Sequence, residues 1–323
     1  MLIRRTLLLA GLLFAAVAPA AAQAPWPSKP IRIVVPYGPG SSPDVLVRLF
    51  SDKLGKTLGQ PVIVENKPGA GGNTGTDYVA KAAPDGYTFL VSTNGPLVYS
   101  TVFNPKLPYD PFKDLAPVTL AGVQPNVCAV SNDMKVNDVK GWVEAMKKDP
   151  GKYNYSSTGV GSMSHLSVEI VKLKSDSYAV HLPYASSPLA ILAILQGDVH
   201  FACVPPVAVM PQAKAGKLKA IAVTSAKRSN LAPELPTMAE SGFPDIQALA
   251  WMAIMAPAKT PPDIINRMSK EISAILAEPE TQQKLAVAYM ESVGSTPEEL
   301  AKWMVEERNR WAPVIKHVGL KAN

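Results

Sequence analysis

The chain has 323 residues with 32 Lys+Arg against 26 Asp+Glu, a formal net charge of +6, and 47% of its residues are hydrophobic against 18% charged. That balance excludes intrinsic disorder as the main state, and the length accommodates two domains of roughly 150 residues each. Basic residues are scattered in short pairs such as Lys147-Lys148 and only 7% of residues are aromatic, so neither a basic arm nor a base-stacking surface for nucleic acid is present.

The first residues read as an export signal. Arg4-Arg5 precede an apolar run from Leu7 to Val17 and then Pro19-Ala20-Ala21-Ala22, a basic segment, a short hydrophobic segment and a small-residue cleavage site. Residues 1–22 are therefore expected to be a signal peptide cleaved after Ala22, so the mature protein is expected to be exported. A membrane anchor would need about 20 apolar residues. Sec export is the default, and the paired arginines also admit the twin-arginine route. Loss of Arg4 and Arg5 lowers the charge from +6 to +4.

Beyond the signal, β-branched apolar runs alternate with helical periods. Strands are expected at 31–35, 61–65 and 87–92, with a helix carrying Leu46, Leu49, Phe50 and Leu54 on one face and another through 78–81. A second series repeats the grammar, with strands at 126–130, 154–157, 179–182, 199–204 and 218–224 and helices at 139–147, 162–172, 188–195 and 207–215. The segment 115–124 reads as the passage between the two series, and 249–256 (LAWMAIMA) as the strand that returns. Only helices are expected after it, at 263–276, 281–289 and 297–316, the last opened by a Ser295-x-x-Glu298 capping box. The pattern predicts two α/β domains with parallel sheets, joined by two crossings and separated by a cleft. One domain comprises 23–123 and 249–323, the other 124–248, with hinges near Gln124 and Leu249. Trp251, beside the second crossing, either reports closure or packs in the core.

Cys128 and Cys203 both lie in apolar strand-like runs, and two buried thiols or one bridge between neighbouring strands fit them. No Cys/His spacing suits a metal, and no cofactor fingerprint is present.

Ligands of parallel α/β sheets bind at the carboxyl ends of strands. Three loops there are unusual. Tyr37, Gly38, Pro39, Gly40, Ser41, Ser42 and Asp44 lead into a helix, and Thr158, Gly159, Gly161 and Ser162 lead into the helix of His165. Ser92, Thr93 and Asn94 close the third strand. Facing one another across a cleft, such N–H and hydroxyl donors suit a carboxylate. Asp44 also reads as a first-turn dipole partner, His165 as a packed side chain, and Tyr184 as core or cleft wall. No G-x-S-x-G elbow occurs, which leaves only Ser162 or Ser164 with His165 as a cryptic pair for a hydrolase of carboxylate esters or amides.

These loops carry a resemblance. Pro30–Asp44 (PIRIVVPYGPGSSPD), Pro61–Gly75 (PVIVENKPGAGGNTG), Ala83–Gly95 (APDGYTFLVSTNG), Leu107–Val118 (LPYDPFKDLAPV), Tyr153–Leu166 (YNYSSTGVGSMSHL), Ala215–Ser229 (AGKLKAIAVTSAKRS), Leu235–Pro244 (LPTMAESGFP) and Ala256–Pro262 (APAKTPP) follow one another in order. Together they resemble the Bug/TctC family, the extracytoplasmic solute-binding receptors of tripartite tricarboxylate transporters. The resemblance implies a type II periplasmic binding protein fold, a monomeric receptor that is not an enzyme, and membrane transporter subunits or a sensor protein as partners. It also implies that backbone amides and waters from Gly38–Asp44 and Thr158–His165 hold a ligand carboxylate. Many members have two glycines where this chain has Ser41-Ser42 or Gly40-Ser41. Members that bind amino acids tend to place an acid where Cys203-Val204-Pro205-Pro206 stands, so a mono- or dicarboxylate without an ammonium is expected beside Val204.

Overall fold

The computed structural model describes residues 26–230, 232–244 and 246–321; the expected signal peptide lies outside them. Its first sheet is built on strand β1 (Ile31–Val35), whose residues other than Arg32 are all buried. Parallel neighbours β2 (Val62–Asn66) and β3 (Thr88–Thr93) flank it, with Ile33 opposite both Val64 and Phe89. Alternation along β1 divides the core: Ile31, Ile33 and Val35 face one side, Val34 the other. Helix α1 (Ser42–Leu58) buries Leu46, Phe50 and Leu54 on the first side and ends at Gly59 in the left-handed conformation. Helix α2 (Asn73–Ala80) follows β2.

After β3 the chain makes a turn of π-helix, Gly95–Tyr99, that runs into the short helix α3 (Ser100–Phe103). Neither was expected. The expected passage at 115–124 is the eleven-residue strand β4 (Leu115–Pro125), the second strand from one edge of the sheet. The returning strand β10 (Leu249–Pro257) runs antiparallel to β4 along its whole length and antiparallel to β3 on its other side.

The second sheet comprises β5 (Val127–Val130), β6 (Asn154–Ser157), β7 (Val180–Pro183), β8 (Phe201–Val204) and β9 (Lys219–Val223), in the order β7-β6-β8-β5-β9. Helices α4 (Val139–Lys148), α5 (Met163–Ser175), α6 (Ser187–Gln196) and α7 (Pro206–Lys214) connect them. The expectation of wholly parallel sheets is corrected. Only β1–β3 and β6–β8 run parallel, while β5 is antiparallel to both β8 and β9. A chain that leaves one sheet and later returns beside its own exit must run the opposite way there.

Strands β5 and β8 place Cys128 directly opposite Cys203, and the two are joined by a disulfide, fully buried. Of the two readings of these cysteines, the bridge is the one found.

The C-terminal segment returns to the first sheet. Helix α8 (Pro262–Ala277) adds Ile264, Ile265, Met268, Ile272 and Leu276 to the core of β1 and α1. Helix α9 (Pro279–Val287) follows, and then a two-residue strand, β11 (Glu291–Ser292), which pairs with β4. That strand corrects the expectation of helices alone. The capping box of α10 (Pro297–Val318) lies one residue later than expected, on Thr296 and Glu299. Pro297 lacks an N–H and is preorganised for the first helical position, which makes Thr296 the cap. Ser295 instead accepts the Leu120 N–H at 2.9 Å and fastens the helix entry to β4. On the opposite face, α10 contributes Leu300, Met304, Trp311 and Ile315. Trp251 is a core residue, its indole N–H donating to the buried Glu307 carboxylate at 2.9 Å.

The disulfide closes a loop of 75 residues. By the chain-entropy relation it stabilises the fold by roughly 4 kcal/mol. Replacing Cys128 and Cys203 together by alanine is expected to lower the unfolding free energy by about that amount, read from the shift of the urea midpoint.

Candidate functional site

Four helices begin at one place between the two sheets. The N-terminal residues of α1 (Ser42, Pro43), α5 (Met163, Ser164) and α6 (Ser187), with the α7 cap Pro205, line a single inner cavity of about 40 Å³. First-turn N–H groups have no acceptor inside their own helix, and each helix end carries a partial positive charge of roughly half a unit. Four such ends make a positive site without a cationic side chain. Among the described residues none with a formal charge lines the cavity.

The loop into α1 owes its shape to Asp44. Its buried carboxylate accepts the Gly40 N–H at 2.9 Å, Arg48 Nε at 3.0 Å and Asn66 Nδ2 at 2.9 Å. Burial would raise its pKa, but the bonds from Arg48, Gly40 and Asn66 outweigh that and hold it below its ordinary value. The same Asn66 amide donates to the Tyr37 carbonyl at 3.0 Å. Gly40 takes a left-handed conformation, φ +74°, which an L side chain adopts only with strain. The result leaves Ser41, the cap of α1, with a hydroxyl that makes no capping bond, unlike Ser162 and Ser186 at α5 and α6.

Of the expected residues, Tyr37, Ser41, Ser42, Thr93, Asn94, Thr158 and Ser162 line the inner cavity. Thr158 also borders an outer cleft of about 350 Å³, together with Gly159, Tyr184 and Gly69, Ala70 and Gly71 of the opposite loop. The others lie outside both spaces. Gly38, Pro39, Gly40 and Gly161 form the turns of the two loops, and Asp44 is committed to holding the first. Ser92 is buried and bonded to Thr76 at 3.2 Å, and Val204 packs in the core of the second sheet. His165 does not line the cavity. Its ring stacks on His181 with centroids 3.9 Å apart, and its Nδ1 accepts the Gly161 N–H at 3.2 Å.

Gln124, Asn126, Ser164 and Ser187 line the cavity without having been expected there. A signal existed for Ser187: Ser186-Ser187-Pro188 repeats the Ser41-Ser42-Pro43 grammar of cap, first residue and proline. Gln124 interrupts an apolar strand and Asn126 follows the strand's closing proline, which by themselves mark a strand end only. Five buried polar atoms of this lining have no hydrogen-bond partner among the described residues: Ser41 Oγ, Gln124 Oε1, both amide atoms of Asn126, and Ser187 Oγ. Buried polar groups are nearly always paired, so this concentration marks a place prepared for other hydrogen-bonding atoms.

The positions of the remaining polar groups are fixed. Tyr37 Oη lies 2.7 Å from Thr93 Oγ1, and burial keeps the phenol neutral by pushing its pKa far up. Asn94 Nδ2 donates to Tyr99 Oη and to the Leu249 carbonyl, both at 3.1 Å, and Tyr99 reaches Glu307 at 3.4 Å. Through these bonds the cavity wall is tied to the second crossing and to α10. The Ser162 hydroxyl donates to the Gly159 carbonyl at 2.7 Å and lies 2.8 Å from Ser164 Oγ, which bonds the Thr158 N–H at 2.9 Å. These hydroxyls hold the loop, while the His165 ring takes its bond from the main chain.

The two sheets are closed on one another here. Gly38 N–H donates to the Ala185 carbonyl at 3.1 Å. Gly71 meets Gly159 so tightly that a Cβ on Gly159 would lie 2.4 Å from the Gly71 Cα.

A two-sheet α/β protein closed over a cavity of helix N-termini is a periplasmic solute-binding fold. The profile described as "Tripartite tricarboxylate transporter family receptor" matches residues 46–320, and the chain belongs to that family. Protein BugT of Bordetella pertussis is 35% identical over 297 residues, 92% of this chain and 91% of that one. The structure of R. palustris Rpa4515 with adipate superimposes with a TM-score of 0.88 at 30% identity, covering 92% of this chain and 99% of the other. MatC from Rhodopseudomonas palustris with bound malate gives 0.86 at 29% identity, covering 90% and 100%. The protein is thus a periplasmic solute-binding receptor of the Bug/TctC family.

The stacked histidines make stability depend on pH. Burial, and secondarily Lys172, lowers His165 to about 4; burial, and secondarily His165, lowers His181 to about 3. Because the folded values lie below the unfolded value of about 6.5, stability is complete above pH 6.5 and is lost as the pH falls toward 4. His165 alone accounts for about 2 kcal/mol at pH 5 relative to pH 7. The loss of stability between pH 7 and 5, followed by urea unfolding, is expected to be smaller by that amount in His165→Phe.

Proposed function

We propose that this receptor captures a small organic mono- or dicarboxylate between its two units and delivers it to a tripartite tricarboxylate-type membrane transporter. The observation that carries the reading is the convergence of four helix N-termini on one cavity without a charged side chain. A carboxylate there accepts first-turn N–H bonds that are strengthened by its charge. The neutral lining offers an ammonium no counter-charge, which argues against α-amino acids. The two similar structures that hold adipate and malate support a carboxylate, and the family's description supports transporter delivery.

Residues 23–123 with 249–323 form one unit and 124–248 the other, with hinges near Gln124 and Leu249. Tyr37, Ser41, Ser42, Thr93 and Asn94 meet the ligand from the first unit, and Thr158, Ser162 and Ser187 from the second. Only the closed form makes both sets of contacts, so ligand shifts the equilibrium toward closure by its differential affinity.

A panel of mono- and dicarboxylates tested by thermal shift is expected to contain at least one stabilising ligand. At a hundredfold excess over its Kd, that ligand adds about 2.7 kcal/mol of stability. A panel that leaves the melting curve in place removes the carboxylate reading. Closure itself is tested with Gly38→Val. Gly38 lies outside the left-handed region, and a Cβ there would sit 3.2 Å from the Ser186 Cβ of the other unit. The variant is expected to fold normally, bind at least roughly tenfold more weakly by calorimetry (about 1.4 kcal/mol), and keep an open radius of gyration in X-ray scattering at saturating ligand.

A further inference from the structure

The neutral lining also makes a demand on the ligand's own chemistry, and the residue that makes it is Asn126. Asn126 is 1% exposed. Its main chain is clamped by Thr224, the residue after β9: the N–H donates to Thr224 Oγ1 at 2.9 Å and the carbonyl accepts the Thr224 N–H at 3.0 Å. The Thr224 hydroxyl in turn donates to the Ala248 carbonyl at 2.7 Å. The side-chain carboxamide is therefore presented from a fixed backbone, and neither of its ends has a partner among the described residues. Turning the amide over exchanges its two atoms and still leaves one free donor and one free acceptor at the same wall. Gln124, which also lines the cavity, donates to Ser42 Oγ at 2.7 Å, and its Oε1 has no partner among the described residues.

A carboxylate only accepts hydrogen bonds. It matches the helix N–H groups and one N–H of Asn126, and the Ser41 and Ser187 hydroxyls can rotate to suit it. It offers nothing to an amide carbonyl, and a buried acceptor left unpaired is a penalty on the complex. The missing donor is a neutral one, because no carboxylate lines the cavity to balance a cation.

Resting on the receptor reading, we infer that the ligand is a small carboxylate bearing a neutral group that both donates and accepts a hydrogen bond, a hydroxyl or a carboxamide. That group is seated on Asn126 while the carboxylate lies on the helix ends. Asn126 thereby becomes a specificity-determining residue, one that discriminates substituted acids from plain ones of the same length.

The test is calorimetric titration of protein purified from the periplasm with matched probes: lactate against propionate, malate against succinate, and succinamate as the carboxamide arm. In whichever series binds, the substituted acid is expected to bind at least about tenfold more tightly than its plain counterpart. Whether the hydroxyl or the carboxamide gains more identifies the source of the donor. In Asn126→Leu, which removes both amide atoms at similar size, the ratio is expected to fall below about threefold with no decrease in melting temperature. Succinate or propionate binding as tightly as its substituted partner in the wild type overturns the inference and leaves the receptor reading standing. A ratio retained in a folded Asn126→Leu variant overturns the assignment to Asn126. Failure of every probe and of the wider carboxylate panel overturns both readings. The wild-type ratio decides the question whether or not the variant folds.

Discussion

The pairing of β4 with β10 is the constraint on which the rest of the molecule depends. The chain passes from the first sheet to the second at Pro125 and comes back at Leu249, and the register sets these two residues opposite each other, with Gln124 opposite Ala250. Two crossings held side by side keep the sheets adjacent, with the cleft beside the crossings. Eight of the nine residues of β10 are buried, so the return strand is also the middle of the first sheet's core. The C-terminal helices can then reach that core only by packing on the sheet that β10 rejoins, and α8 and α10 take its two faces.

The same placement brings the starts of α1, α5, α6 and α7 together. Helix ends provide positive potential from groups already oriented by the backbone, so an anion can be desolvated against them without the burial of an opposing cation. The charged groups nearby have structural duties instead. Asp44 is bonded to Gly40, Arg48 and Asn66 and shapes the first loop. Glu169 accepts from Tyr155 and Lys172 beneath the second. The cavity is left to hydroxyls and carboxamides, neutral groups that cost less to bury than charges.

Much of the fold was legible because it is local. Continuous β-branched runs such as IRIVV mark buried strands, and the Pro-Gly-Ser loops that follow mark helix starts at sheet edges. What escaped was non-local. Nothing in Leu115–Pro125 separates a linker from a long sheet strand until β10 lies beside it. The capping box slipped by one residue because Pro297 outweighed the Ser-x-x-Glu spacing. In the candidate site, the strand-end loops point to Tyr37, Ser41, Thr93, Asn94, Thr158 and Ser162, which line the cavity, but not to Gln124 and Asn126, which also line it, since a polar residue at a strand end ordinarily meets water. His165, one turn into α5, stacks on His181, sixteen positions away in sequence, a partner that its place in the helix does not reveal.

The alternation of strands and helices, the Gly- and Ser-rich loops at their junctions, and the family resemblance are all written in the linear order of residues, because periodicity and turn chemistry act over a few positions. Which loops share a cavity, that Cys128 faces Cys203, and that the Asn126 amide lies buried with neither end paired among the described residues are settled by tertiary packing alone. Each of those facts depends on residues far apart in the chain, and no local preference encodes which distant group will take up or withhold a hydrogen bond.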